Sequence, residues 1–410
     1  MNRSIRMSAW GLLAGAVLAT TPLVHAADKG QQISRAIAKE MMAAQKALQS
    51  KEWGEAIKNL DAADGKPGLT PFDHKTIDDF KGFAYARQGN LKAAQTAYEA
   101  ALATGQYSSE DEARTVHVLF GLSANGQQYA KTIEYGKRMA EKGAANGEDL
   151  AIVAQSYYLL KDCKNAALWE DKAIALTRKE GGTPKEGSYQ IKLRCAFDAS
   201  DTPGTIAALE ELIRLTGKTE YWNNLLRLER QDQKDDHNLL MIYRLMYATN
   251  SMNAGSDYIE MSQLLGDAAL PGEAQAVLEK GISTNAIPPE QKDRSARLLT
   301  ATKQRADTDK KGIPQFEAEA NKNPAGELSV KLGEVYYGVG DYQNAVKAIN
   351  QGLQKGQVKH LDEAYVYLGL AQANLKNNAE ARKAFQALKQ VPGVTPTLVK
   401  LWDLYGDKLT

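Results

Sequence analysis

Apolar residues recur at i, i+3, i+4 and i+7 in one stretch after another, from about Ile33 almost to the C-terminus. That is the period of a helix with one buried face. Two C-terminal stretches show it most plainly. Leu332-Gly333 with Tyr336, Gly340, Tyr342 and Ala345 is followed, at the same spacing, by Leu368-Gly369 with Leu375, Ala381 and Phe385. Each has a small residue inside one helix and another near the start of the next. Two antiparallel helices can then approach closely, and a unit of about 34 to 38 residues can stack on its neighbours as a solenoid. Earlier stretches repeat the theme: Ala44, Ala47, Trp53, Ala56 and Leu60; then Gly82, Tyr85, Gly89, Ala94 and Tyr98. A degenerate unit follows with Leu119, Phe120, Tyr129, Ile133 and Met139, and a clearer one with Ala154, Tyr157, Ala166 and Ala173. The pattern predicts an all-α chain.

Glycine and proline divide the pattern where helices should end. Gly65-Lys66-Pro67-Gly68, Gly181-Gly182-Thr183-Pro184, Pro288-Pro289 and Asn323-Pro324 all fall between helix pairs. They suggest repeats over 27–180, irregular helix pairs over 181–322, and regular repeats over 323–410. The pattern departs most between 183 and 254, where the Trp222 helix carries Leu225-Leu226. Over 288–321 two helices are expected from apolar period alone. The segment from Pro396 to Leu409, with Leu398, Leu401, Trp402 and Tyr405, reads as a helix capping the last apolar face.

These residues resemble the tetratricopeptide repeat, over nearly the whole chain after the leader. Around Gly82, Ala154, Gly333 and Gly369 the match is close, and between 183 and 254 it is weak. The resemblance implies a right-handed α-solenoid whose first helices line a concave groove. Its groove positions would be Asp79, Phe83, Gln155, Tyr158, Val330, Glu334, Tyr337, Val366 and Leu370. Relatives that grip acidic C-terminal tails place Lys, Asn and Arg at such positions, and that clamp is missing here. Asn223, Arg227 and Arg230 share one face of the Trp222 helix and form a second place for an acidic partner, or a solvated face. The phrases Tyr221-Trp222-Asn223-Asn224-Leu225, Leu270-Pro271-Gly272-Glu273-Ala274 and Val277-Leu278-Glu279-Lys280-Gly281 resemble periplasmic repeat proteins, some of which accompany TonB–ExbB–ExbD complexes.

Composition narrows the class. In 410 residues, 51 Lys and Arg meet 50 Asp and Glu, a net charge of +1, with the signs interspersed. A nucleic-acid surface would need a basic stripe. Arg3 and Arg6, the apolar run from Trp10 to Val24, and Val24-His25-Ala26 read as a leader, 1–26, cleaved near Ala26. The run is shorter than the roughly 20 residues of a membrane span, so a periplasmic protein without a span after cleavage is expected. Cys163 and Cys195 lie about one repeat apart. They either form a disulfide, which that compartment permits, or remain two small buried side chains.

Catalytic chemistry finds little support. Beyond the leader the histidines are His74, His117, His237 and His360, none at metal-ligand spacing from another. No nucleophile elbow or phosphate loop is present. The expectation is a non-enzymatic scaffold for protein partners of the cell envelope, with no metal and no cofactor. The alternative is an assembly factor for cell-wall or exported-polysaccharide machinery, for which Tyr337 beside Glu334 is the candidate stacking pair.

Overall fold

A computed structural model describes residues 32–231 and 233–409; the leader lies outside these. The described residues form helices and no strand. Packing divides the chain after Ala199.

The N-terminal unit contains α1 (Ala38–Gln49), α2 (Trp53–Asp64), α3 (Pro71–Arg87), α4 (Leu91–Ala103), α5 (Ser109–Asn125), α6 (Tyr129–Glu141), α7 (Gly147–Leu159), α8 (Cys163–Lys179) and α9 (Glu186–Asp198). The C-terminal unit contains α10 (Thr202–Thr216), α11 (Thr219–Gln231), α12 (Asp236–Ala248), α13 (Gly255–Asp267), α14 (Pro271–Ser283), α15 (Lys292–Lys322), α16 (Glu327–Gly338), α17 (Tyr342–Lys355), α18 (Leu361–Asn374), α19 (Asn378–Ala387) and α20 (Pro396–Lys408).

One tight turn recurs inside the pairs. A left-handed residue is followed by the N-cap of the second helix: Lys51 before Glu52, Gly89 before Asn90, Gln127 before Gln128, Lys161 before Asp162, Gly340 before Asp341, Lys376 before Asn377. Glycine fills this position only at Gly89 and Gly340, where it adopts the conformation without strain. The predicted small residues act as predicted. A Cβ at Gly333 would lie 2.4 Å from Ile349, and one at Gly369 would lie 2.3 Å from Phe385. These helices can approach only without that carbon.

Cys163, at the start of α8, is joined by a disulfide to Cys195 of α9, with Cα atoms 5.2 Å apart. The bridge lies inside the N-terminal unit, and in the C-terminal unit α15 packs on both α14 and α16.

The two helices expected over 288–321 are one helix, α15, of 31 residues with Pro314 inside it. The polar run Asp307–Lys311, mostly exposed, lies within a continuous helix, and no left-handed residue interrupts it. Pro314 removes one backbone donor, but burial of Thr302, Ala306 and Ala320 keeps the helix docked along both sides of it. No helix among the described residues is long and apolar enough to cross a membrane.

The expected terminal helix, α20, buries Leu398, Leu401, Trp402 and Leu404, and Trp402 stacks on Phe385 at 5.1 Å. It also packs against α10 and α12. Lys400 meets Glu210 at 2.6 Å, Lys408 Nζ donates to the Arg214 carbonyl at 3.0 Å, and Tyr405 lies edge-on to Trp222. The last helix of the C-terminal unit therefore returns to its first ones, and the unit closes on itself.

Candidate functional site

Closure brings a set of charged residues together inside the C-terminal unit. Helix α12 is buried continuously from Leu240 to Met246, and Arg244 stands within that run, 1% exposed. A guanidinium there needs counter-charges, since an unpaired buried charge costs several kcal/mol. Arg244 Nη1 donates to Glu363 Oε1 at 3.0 Å, while Nε and Nη2 reach the two oxygens of Glu273 at 3.4 Å. Nη2 also donates to the Tyr367 hydroxyl, which itself donates to Glu273 Oε2 at 2.5 Å. The guanidinium lies over the Tyr367 ring, 4.4 Å from its centre. On α16, Lys331 Nζ joins Glu334 Oε2 at 2.8 Å to Glu363 Oε2 at 3.7 Å.

Glycine makes this convergence possible at one point. A Cβ on Gly272 would lie 3.0 Å from the Gly338 backbone, so α14 can approach the end of α16 and carry Glu273 inward. The phrase Pro271-Gly272-Glu273 thus has a packing role.

The carboxyls diverge in acidity. Burial would raise Glu363, but Arg244 and Lys331 outweigh it and hold the group below the usual carboxylate range. Burial pushes Glu334 up to about 7 despite Lys331, and its Oε1 is buried without a hydrogen-bond partner.

At the edge of the network, His237 of α12 meets the first turn of α18. Its Nε2 lies 2.6 Å from Asp362 Oδ2, and its ring centre lies 5.3 Å from that of His360. Beside the network, α14, α15 and α16 bound an open cleft of about 330 Å³, lined in part by Tyr247, Tyr337, Tyr342, Glu279 and Lys310.

The residues nominated from sequence have varied placements. Val330, Glu334, Val366 and Leu370 are buried by their own unit, which corrects the expectation that they face a guest. Val330 packs on Gly352 of the adjacent α17, and Glu334 is drawn into the charged network beside Lys331. Tyr337 packs against Tyr342 and Tyr367 at 5.5 and 5.1 Å, so it and Glu334 do not form an exposed stacking pair. Asn223 is buried and donates to the Ser251 carbonyl at 2.6 Å; Arg227 is exposed; Arg230 pairs with Asp257 at 2.6 Å. These three form no common receptor face.

In the N-terminal unit the nominated positions keep partial exposure. Asp79 accepts from Tyr107 and pairs with Lys75 at 2.9 Å; burial raises its pKa. Phe83 lies edge-on to Trp53 with Arg87 over its ring. Tyr158 packs on the cluster around Ala166, Ile191 and Cys195. Gln155 is half-buried. Close in sequence to Cys163 or Cys195, Leu159, Leu160, Leu168 and Phe197 are exposed large apolar residues, Phe197 by 65%.

Sequence reasoning missed Arg244, Glu273, Glu363 and Tyr367, and it left His237 and His360 as separate histidines, at no metal-ligand spacing from each other. One signal was visible: an arginine within the apolar run Leu239 to Met246 implies buried counter-charges. Which residues supply them depends on contacts more than a hundred positions away in the case of Glu363 and Tyr367.

No protein-family model matches the chain, and no curated protein matches it. Among solved structures it is similar to a tetratricopeptide repeat protein from Parabacteroides merdae, with 13% identity and a TM-score of 0.32, covering 83% of this chain and 100% of that one. It is similar to Naa15/Naa10 bound to HypK-THB at 11% identity and a TM-score of 0.33, covering 88% of this chain and 59% of that one. A third likeness is to the TPR2AB-domain:pHSP90 complex of yeast Sti1, at 11% identity and a TM-score of 0.27, covering 90% and 98%.

Proposed function

We propose that the chain is a non-enzymatic scaffold of the bacterial periplasm that holds a protein partner on its N-terminal unit. The supporting observation is a run of exposed large apolar residues close in sequence to Cys163 or Cys195: Leu159, Leu160, Leu168 and Phe197, with Tyr158 half-exposed. Several large apolar side chains left in water on a cross-linked framework favour a partner surface. The inner face of the C-terminal unit is covered by its own helices, which favours the N-terminal unit as the docking side. The leader and the disulfide both suit an oxidising compartment. An accessory role in a TonB–ExbB–ExbD type of envelope complex is the finer form of this reading, supported by the resemblance of the 221–225, 270–274 and 277–281 phrases.

A photo-crosslinking residue at position 160 or 197, in living cells, tests the reading. The expected result is one discrete adduct, lost when Leu168 is changed to Asp. Absence of adducts at both positions, with adducts at 247 or 342 instead, would move the binding site to the cleft. That outcome would favour the alternative role with exported polysaccharide or cell-wall machinery, since the tyrosines there stand beside Glu279.

A further inference from the structure

His237 and His360 are 123 positions apart in the chain, yet their rings meet at 5.3 Å. One ligand atom from each of His237, His360 and Glu363 lies within 4.8 Å of the others. From this convergence we infer that α12 and the first turn of α18 form a zinc site, with His237, His360 and Glu363 as ligands.

Two imidazoles and one carboxylate are a ligand set that suits Zn²⁺, at bond lengths of about 2.0–2.2 Å. The surroundings fit the requirements of such a site. Asp362 holds the His237 ring at 2.6 Å, the outer-shell role that carboxylates commonly take toward metal-bound histidine. It can keep that role through the second ring nitrogen, or turn to become a fourth ligand. Glu363 is anchored through Oε1 by Arg244 at 3.0 Å, whereas Oε2 has only the long contact to Lys331 at 3.7 Å and can turn to an ion.

Charge points the same way. Asp362, Glu363 and Glu273 gather around only two permanent cations, Arg244 and Lys331. A divalent ion reduces that excess. His360 is exposed and His237 half-buried, so an ion reaches the site from solvent and retains a position for water. Once bound, it ties α12 to α18 and reinforces the closure made by α20. The site is independent of the proposed partner surface.

The test is Zn²⁺ binding by the full mature chain, measured by competition with a chromophoric chelator, with Co²⁺ absorption reporting coordination. One equivalent of Zn²⁺ should bind in competition with the chelator, and the melting temperature should rise. His360→Ala, at an exposed position, should abolish the Co²⁺ band and the melting shift while leaving the fold intact. Asp362→Asn should weaken binding by about 10–100-fold. A variant lacking His74 and His117, each paired with only one carboxylate, should bind like the parent. Unchanged binding by His360→Ala, or no competition by the parent chain, would overturn the inference.

Discussion

At the level of single residues, the C-terminal unit depends on a buried guanidinium. Arg244 holds Glu273, Glu363 and Tyr367 at once, and all three are buried. Arg244→Leu strips the guanidinium from two buried carboxylates, leaving Glu273 only the Tyr367 hydroxyl and Glu363 only the long contact to Lys331, and should cost about 3–5 kcal/mol in chemical denaturation. A second buried acid acts in the opposite sense. Glu170 of α8 is 1% exposed, its Oε2 has no partner, and burial raises its pKa to about 7. The folded state therefore holds a proton that the unfolded chain releases near pH 4.5. Between these values the folded form binds more protons, so stability falls as pH rises from about 4.5 to 7, by up to about 3 kcal/mol. Glu170→Gln should remove that slope and leave the chain more stable at pH 8, as measured by melts across pH.

At the level of elements, the helix-pair phase was legible because it depends on local rules. Apolar period, small residues and tight turns located most pairs, and α20 lies where the terminal apolar cluster predicts it. The exception is α15. Its apolar period reads as two helices, yet burial on both sides of Pro314 carries one helix through. Local signals fail where tertiary packing on both sides of a breaker outweighs it. Pro314→Ala restores the missing backbone donor and should stabilise the protein by up to about 3 kcal/mol, with a rise in melting temperature as the readout. A fall in stability would show that the helix needs the bend a proline imposes.

For the molecule as a whole, closure of the C-terminal unit is the consequential feature. Contacts from α20 to α10 and α12 join residues nearly two hundred positions apart, such as Lys408 and Arg214. A fragment spanning 200–410 contains this entire cycle and should unfold in one cooperative transition. Removing 391–410 exposes the faces covered by Trp402 and Leu404 and should abolish that cooperativity. Circular dichroism melts and hydrogen exchange of the two fragments distinguish these outcomes.

The sequence by itself determined the all-α class, most helix pairs, the packing glycines Gly333 and Gly369, and the terminal helix. All of these depend on neighbours within about one repeat, where spacing alone specifies which side chains meet. Only the tertiary structure decided which inner faces are covered, how Arg244 is neutralised, and that His237 meets His360. Those contacts depend on the accumulated rotation of many successive helices. Small angular differences at each pair decide whether α18 reaches α12, and no residue spacing records that sum.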